Sequence, residues 1–205
     1  MKLVLAVHGH RSERATDRVA GVDGVLACTV HEVVGEGLSG RERRQVPADV
    51  AEVMLIWADD VTHVDVEALT GGRRSTGYRV EERPQWDHGL PAEGVTRIAF
   101  VRRRPGLTRE QFAHHWTNVH APLARRHHPS LRRYVQNVVV APATPGAPEV
   151  DGIAELGFRS IEDMSVHMYD SPEGAATIGA DVQRFIDAGA GWRVLTRPSW
   201  RASSP

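Results

Sequence analysis

Residues Gly77–Trp86 read GYRVEERPQW and residues Gly191–Trp200 read GWRVLTRPSW, six identities in ten positions closing on the same Arg-Pro-x-Trp. Weaker echoes keep the same order: AEVMLIW from Ala51 pairs with AELGF from Ala154, and VLACTVHEVV from Val25 with LRRYVQNVVV from Leu131. Echoes that keep their order along a chain mark one supersecondary unit used twice. The same alignment sets Glu52 opposite Glu155, open to a paired role holding the sheets together or to catalysis.

Working outward, each half spells the same elements. In the second, Thr96 to Arg102 is a short apolar strand, and Thr108 with Gln111 has the capping-box spacing that starts a helix. That helix is expected to run to His120, where Ala121-Pro122 stops it, because proline has no N–H and crowds the preceding turn. Leu131 to Val140 and Gly152 to Phe158 read as strands. Ser160 caps a short helix, Ser171-Pro172 opens another with Ala175, Ile178, Val182 and Phe185 on one face, and Gly191 to Trp200 closes the unit. The first half gives strands at Leu3 to Val7, Val25 to Val34, Val53 to Trp57 and Gly77 to Arg83, with helices over Ser12 to Ala20 and Asp60 to Leu69. The order βαββαβ is ferredoxin-like. A lone four-stranded sheet of this kind leaves one apolar face open, and two in one chain can cover each other. The fold class is therefore α+β: tandem ferredoxin-like repeats, 1–90 and 91–205, forming a pseudo-dimeric α/β barrel of antiparallel strands.

A chain of 205 residues, 41% apolar, can bury a core of that size. Its 25 basic and 26 acidic residues balance, so neither nucleic acid nor an anionic membrane is expected as a partner. A single cysteine, Cys28, excludes an internal disulfide, and it falls in a strand pattern where packing suits it better than nucleophilic work. The opening apolar run is too short for a signal peptide and is broken by His8 and Arg11, which reads as cytoplasmic.

Chemistry concentrates in Phe112 to Asn137, FAHHWTNVHAPLARRHHPSLRRYVQN, with five of the eleven histidines. Helical spacing gathers Phe112, His115, Trp116 and Val119 on one face, with His120 a turn beyond Trp116. Phe112, Trp116 and Val119 are core candidates, and Phe112 and Trp116 also suit a substrate cavity wall. His120 serves either to tie down the helix end or to move a proton, since an ordinary imidazole titrates near pH 6.5. His115 is a second proton-transfer candidate. His114 falls on the opposite side, and His127 and His128, flanked by Arg125, Arg126, Arg132 and Arg133, read as a basic surface rim. Adjacent histidines diverge on a helix and no HExxH or CxxC is present, so no metal is expected. On the following strand Arg133, Val135 and Asn137 share one face and Tyr134 and Gln136 the other. Polar groups on both faces imply a wet cavity on one of them, lined by Tyr134 and Gln136 or by Arg133 and Asn137. Gly35, Gly37 and Gly40 lack the spacing and the helix of a dinucleotide loop, and no GxSxG is present.

The run FVRRRPGLTREQFAHHWTNVHAPLARRHHPSLRRYVQN, continued by DGIAELGFRSIEDM and SPEG, resembles the EthD family of dimeric α/β-barrel proteins. The resemblance spans Arg97 to Trp200, and the first half has no copy of the His-Ala-Pro-Leu motif. It implies a fused pseudo-dimer, compatible with further homodimerisation, and an enzyme without a cofactor. Proteins of this kind include polyketide cyclases, decarboxylases and monooxygenases. The expected activity is acid–base catalysis on a flat, oxygenated aromatic or polyketide-like carbonyl compound, in cyclisation, decarboxylation or a related lyase step. In it His120, with or without His115, moves a proton, Tyr134, Gln136 or Arg133 steadies the enolate, and Trp116 forms a wall. A non-catalytic binding or accessory protein of a pathway is the alternative, and a monooxygenase working with dioxygen alone or with haem is a third.

Overall fold

The computed structural model describes residues 1–11, 15–34 and 49–203. The expected loop Gly35 to Pro47, with its three glycines, lies outside them, as does the expected start of the first helix at Ser12. The first unit comprises β1 (Lys2–His8), α1 (Ala15–Ala20), β2 (Val25–Val33), β3 (Val50–Ala58), α2 (Val66–Thr70) and β4 (Ser75–Asp87). The second comprises β5 (Val95–Arg103), α3 (Arg109–His115), a π-helical turn (Trp116–His120), α4 (Ala121–His127), β6 (Arg133–Pro142), β7 (Gly152–Phe158), α5 (Ile161–Ser165), α6 (Pro172–Phe185) and β8 (Ile186–Ser203). The capping box forms as read, with Thr108 accepting from the Gln111 N–H and Gln111 reaching back to the Thr108 N–H. Ser160 and Ser171 cap α5 and α6.

Strand order around the closed barrel is β1-β3-β2-β8-β5-β7-β6-β4, and every pairing is antiparallel. Each unit contributes four neighbours in the ferredoxin-like order, and the seams are β2 with β8 and β6 with β4. The repeated Arg-Pro-x-Trp segments are those seam strands. β4 runs past its own unit so that Trp86 meets Tyr134 edge-on at 5.1 Å and donates Nε1–H to the Leu131 carbonyl at 3.0 Å. Trp200 makes the reciprocal crossing, packing against the apolar layer between the first unit's helices and strands. Proline fits both strands because each is irregular there, the register slipping between Pro84 and Trp86 and beside Pro198.

Alternation along the strands divides the core into three. Val4, Val53, Leu55, Tyr78, Phe100 and Val194 fill the barrel, while one apolar layer lies under the helices of each unit. One end of the barrel is polar. Buried Lys2 donates to Glu82 at 2.7 Å and to Glu155, Arg133 pairs with Glu155, and Asn137 donates to Glu155 at 2.9 Å. Burial alone would raise the Glu155 carboxyl, but the Lys2 and Arg133 charges beside it outweigh that and hold it at about 2. Glu155 thus ties β1, β6 and β7 together. Glu52 does not share that role: Val53 and Leu55 point into the barrel, so Glu52 faces outward and pairs with Arg73 at 2.7 Å. The AEVMLIW echo is offset by one residue in face, whereas the other two keep their parity.

Two other expectations need correction. α2 is shorter than Asp60 to Leu69, because Asp60 is spent accepting from the Thr62 N–H at 2.8 Å and Asp65 is the cap. And Pro122 does not end its helix. The widened turn sends the Ala121 N–H to the Trp116 carbonyl, five residues back, which removes the clash proline makes with a regular turn, and the helix continues to His127.

The buried cluster should be sensitive in two ways. Glu155→Gln leaves Lys2 and Arg133 undercompensated in the interior and should cost about 3–5 kcal/mol in urea unfolding. His31, also inside the barrel, is held by burial at about 4, below the 6.5 of an ordinary imidazole. The unfolded chain therefore takes up that proton first, and the urea midpoint should fall as pH drops from 6.5 to 4. In His31→Asn the fall should be shallower.

Candidate active site

The second unit's helices cover the outer face of β5 to β7, and a cavity of about 400 Å³ opens between them. Its lining includes Trp116, His120, His128, Tyr134, Arg97 and Ile178. The π-helical turn puts Trp116 and His120 at its two ends, both buried and both on the cavity side.

What orders the site is a residue that the sequence reading did not single out. Asp181, on α6 and 3% exposed, accepts from two imidazoles at once: His120 Nδ1 at 2.9 Å on one oxygen and His115 Nε2 at 2.9 Å on the other. Asp181 lies three residues after Ile178 and four before Phe185, so it interrupts the apolar stripe of that helix. A carboxylate on a buried helical stripe was the available signal. Phe185 packs beside both rings, at 4.9 Å from His115 and 5.1 Å from His120. With Nδ1 committed to Asp181, Nε2 of His120 is the nitrogen left for a ligand. Burial lowers the His120 pKa, partly countered by Asp181, so the ring is neutral at physiological pH and Nε2 carries a lone pair. The two imidazoles straddle one carboxylate instead of converging on a point, and no metal-holding group of three such side chains occurs among the described residues.

Tyr134 faces the same cavity from β6. Its hydroxyl accepts from Trp116 Nε1 at 2.8 Å and from Gln136 Nε2 at 3.2 Å, which leaves its own proton to donate. Burial pushes that phenol up to about 12, so it stays protonated. Gln136 also donates to the Trp116 carbonyl at 2.9 Å and accepts from Thr117 at 3.0 Å, so it braces the wall from behind. Phe112 does likewise, its ring 5.3 Å from Trp116. Gly152 lies directly beneath that indole, where any Cβ would overlap the ring.

The structure separates the remaining candidates. His115 reaches the cavity only through Asp181. Arg133 and Asn137 sit on the opposite face of β6, inside the barrel with Glu155, so both faces of the strand are polar for different reasons. His114 is exposed, His127 pairs with Asp170 at 3.0 Å, and Val119, expected in the core, is exposed on the helix surface. His128 is not part of a surface rim: it is 5% exposed, donates Nδ1–H to the Met168 carbonyl at 2.9 Å and lines the cavity. The helix that outlasts Pro122 carries it there. Cys28 is buried, its thiol raised to about 12 by burial, and is packed as expected.

Comparison with known proteins places this site in a family setting. Residues 104–189 match the EthD domain family model. No curated protein matches the chain. Among solved structures, an anthrone oxidase-like protein superposes with a TM-score of 0.65 at 13% identity, covering 98% of this chain and 92% of that one. A candidate monooxygenase from Fusobacterium nucleatum gives 0.58 at 9% identity, with 99% and 94% covered. Another from Lactobacillus acidophilus NCFM gives 0.55 at 8%, with 98% and 94% covered. At these identities the likeness is one of fold, and it extends over both halves. The residues that match the EthD domain, 104–189, are built into one closed antiparallel barrel together with the first unit.

Proposed function

We propose that the protein is an enzyme that works without a cofactor, using His120 to move a proton at a carbon next to a carbonyl in a flat, oxygenated, largely apolar substrate. The observation that carries this reading is the Asp181 bridge: a buried carboxylate on Nδ1 of a neutral imidazole whose other nitrogen is left for the cavity. His120 Nε2 takes the proton and Asp181 stabilises the imidazolium that results. The Tyr134 hydroxyl donates to the oxygen that gains charge, an interaction commonly worth about 2.7–4 kcal/mol for one well-placed donor. Trp116 forms the aromatic wall. His115 is a positioning residue, holding the second oxygen of Asp181. The enolate then attacks a second carbonyl to close a ring or expels a leaving group from the adjacent carbon, the cyclase and lyase outcomes; in a decarboxylase the enolate forms instead as carbon dioxide leaves, and protonated His120 returns a proton to carbon.

A monooxygenase is the second reading, favoured by the two structural relatives named as monooxygenases and, as an oxidase, by the anthrone oxidase-like one. It shares the first step, since a carbanion beside a carbonyl can react with dioxygen directly. Anthrone in deuterated buffer is a suitable probe. Protein-dependent deuterium uptake at its methylene carbon, seen by NMR, is expected. Oxygen consumption with quinone formation selects the monooxygenase, and binding without exchange selects a non-catalytic carrier.

His120→Ala should slow exchange by about a hundredfold or more while circular dichroism stays unchanged; an unaltered rate removes His120 from the mechanism. The rate should rise with pH to a plateau with its midpoint below 6.5, because the base form is the active one and burial lowers this imidazole. Asp181→Asn removes the charge that raises His120, so the midpoint should move lower still and the plateau rate should fall at least tenfold.

A further inference from the structure

A second cavity, about 200 Å³, lies inside the barrel at its polar end, across the sheet from His120. His31, Thr29, Thr96, Trp57, Arg133 and Arg201 are among the groups that enclose it. The protonation of His31 can be read from its partners. Its Nδ1 lies 3.0 Å from the Thr196 hydroxyl, which spends its proton on the Thr96 carbonyl at 2.8 Å. Thr196 can then only accept, so His31 is the Nδ1–H tautomer and its Nε2 bears the lone pair. Among the described residues nothing donates to that nitrogen, although the residue is 3% exposed. Burial keeps the ring uncharged at neutral pH.

The charges around the cavity are unequal in their commitments. Arg133 is engaged by Glu155 and by Asp87 at 3.1 Å. Arg201, exposed at the rim and near enough to act on His31, has no carboxylate partner among the described residues. Trp57 and Leu55 supply apolar wall. At about 30 Å³ per water molecule the space is worth roughly seven waters, enough for a molecule of about ten non-hydrogen atoms.

We propose that the interior of the barrel is a second binding site, for a small hydroxylated carboxylate whose hydroxyl donates to His31 Nε2 and whose carboxylate pairs with Arg201. The site stands apart from the proposed catalytic cavity, because β6 turns its Tyr134 face to one and its Arg133 face to the other.

Isothermal titration with 4-hydroxybenzoate, benzoate and phenol tests it, alongside ¹⁵N NMR of the imidazoles. The hydroxy acid should bind at least tenfold more tightly than either probe lacking one group, with the His31 Nε2 resonance shifting as a hydrogen-bond acceptor. His31→Asn keeps a donor for Thr196 and removes the acceptor at the Nε2 position, which the shorter amide does not reach. Asparagine is already the residue at the matching position of the second repeat, Asn137, so the fold should tolerate it. His31→Asn and Arg201→Ala should each weaken binding at least tenfold, and His120→Ala should leave it unchanged. Binding that survives both interior substitutions, binding lost only with His120, or no binding of any of the three probes would overturn the proposal.

Discussion

Backbone pairing across the two seams is the constraint on which the molecule depends. A four-stranded sheet ends in two edges whose N–H and C=O groups need partners, and closure is the arrangement that leaves no edge. Here β2 meets β8 and β6 meets β4, so each unit's last strand finishes the other unit's sheet. The two repeated tryptophans follow from this, since a strand long enough to cross a seam carries its end under the neighbour's helices. Neither unit completes its core alone: residues of both fill the barrel, and each helix layer takes a tryptophan from the other unit.

Closure also creates two environments from one sheet. The outer face of β6 meets a helix layer and, with Trp116 and Tyr134, borders a cavity where a neutral imidazole and a protonated phenol coexist. The inner face meets the barrel lumen, where Lys2, Arg133, Glu82 and Glu155 neutralise one another out of water. Period-two alternation carries both without conflict. The π-helical turn shapes the outer cavity: it carries the helix past a proline and sets His120 within reach of Asp181 on a helix more than fifty residues later in the chain.

Much of this was legible beforehand. Local rules act over three or four residues, so the caps at Thr108, Ser160 and Ser171, the strand at Gly152–Phe158 and the βαββαβ order could be read directly. The repeat signalled two units, and the seam tryptophans lie within it. Where the reading erred, tertiary context had overridden a local rule. Pro122 is a stop signal in isolation, but not where the preceding turn widens. His128 is flanked by arginines in sequence, but its ring is buried against Met168 and Tyr169. Glu52 matches Glu155 by letter while facing the other side of its strand, because a shift of one residue exchanges the faces.

The class of fold, the duplication and the likeness of the second half to a known family could be read from the chain alone. Those are matters of periodicity, turn chemistry and repetition, all local in the chain. Which side chains meet depends on the closed fold. The Asp181 pairing with His115 and His120, the Lys2 contact with Glu155, and the Thr196 contact that sets the His31 tautomer join residues 61 to 165 positions apart. Contacts at that range exist once the barrel has closed, and no periodicity in the chain records them.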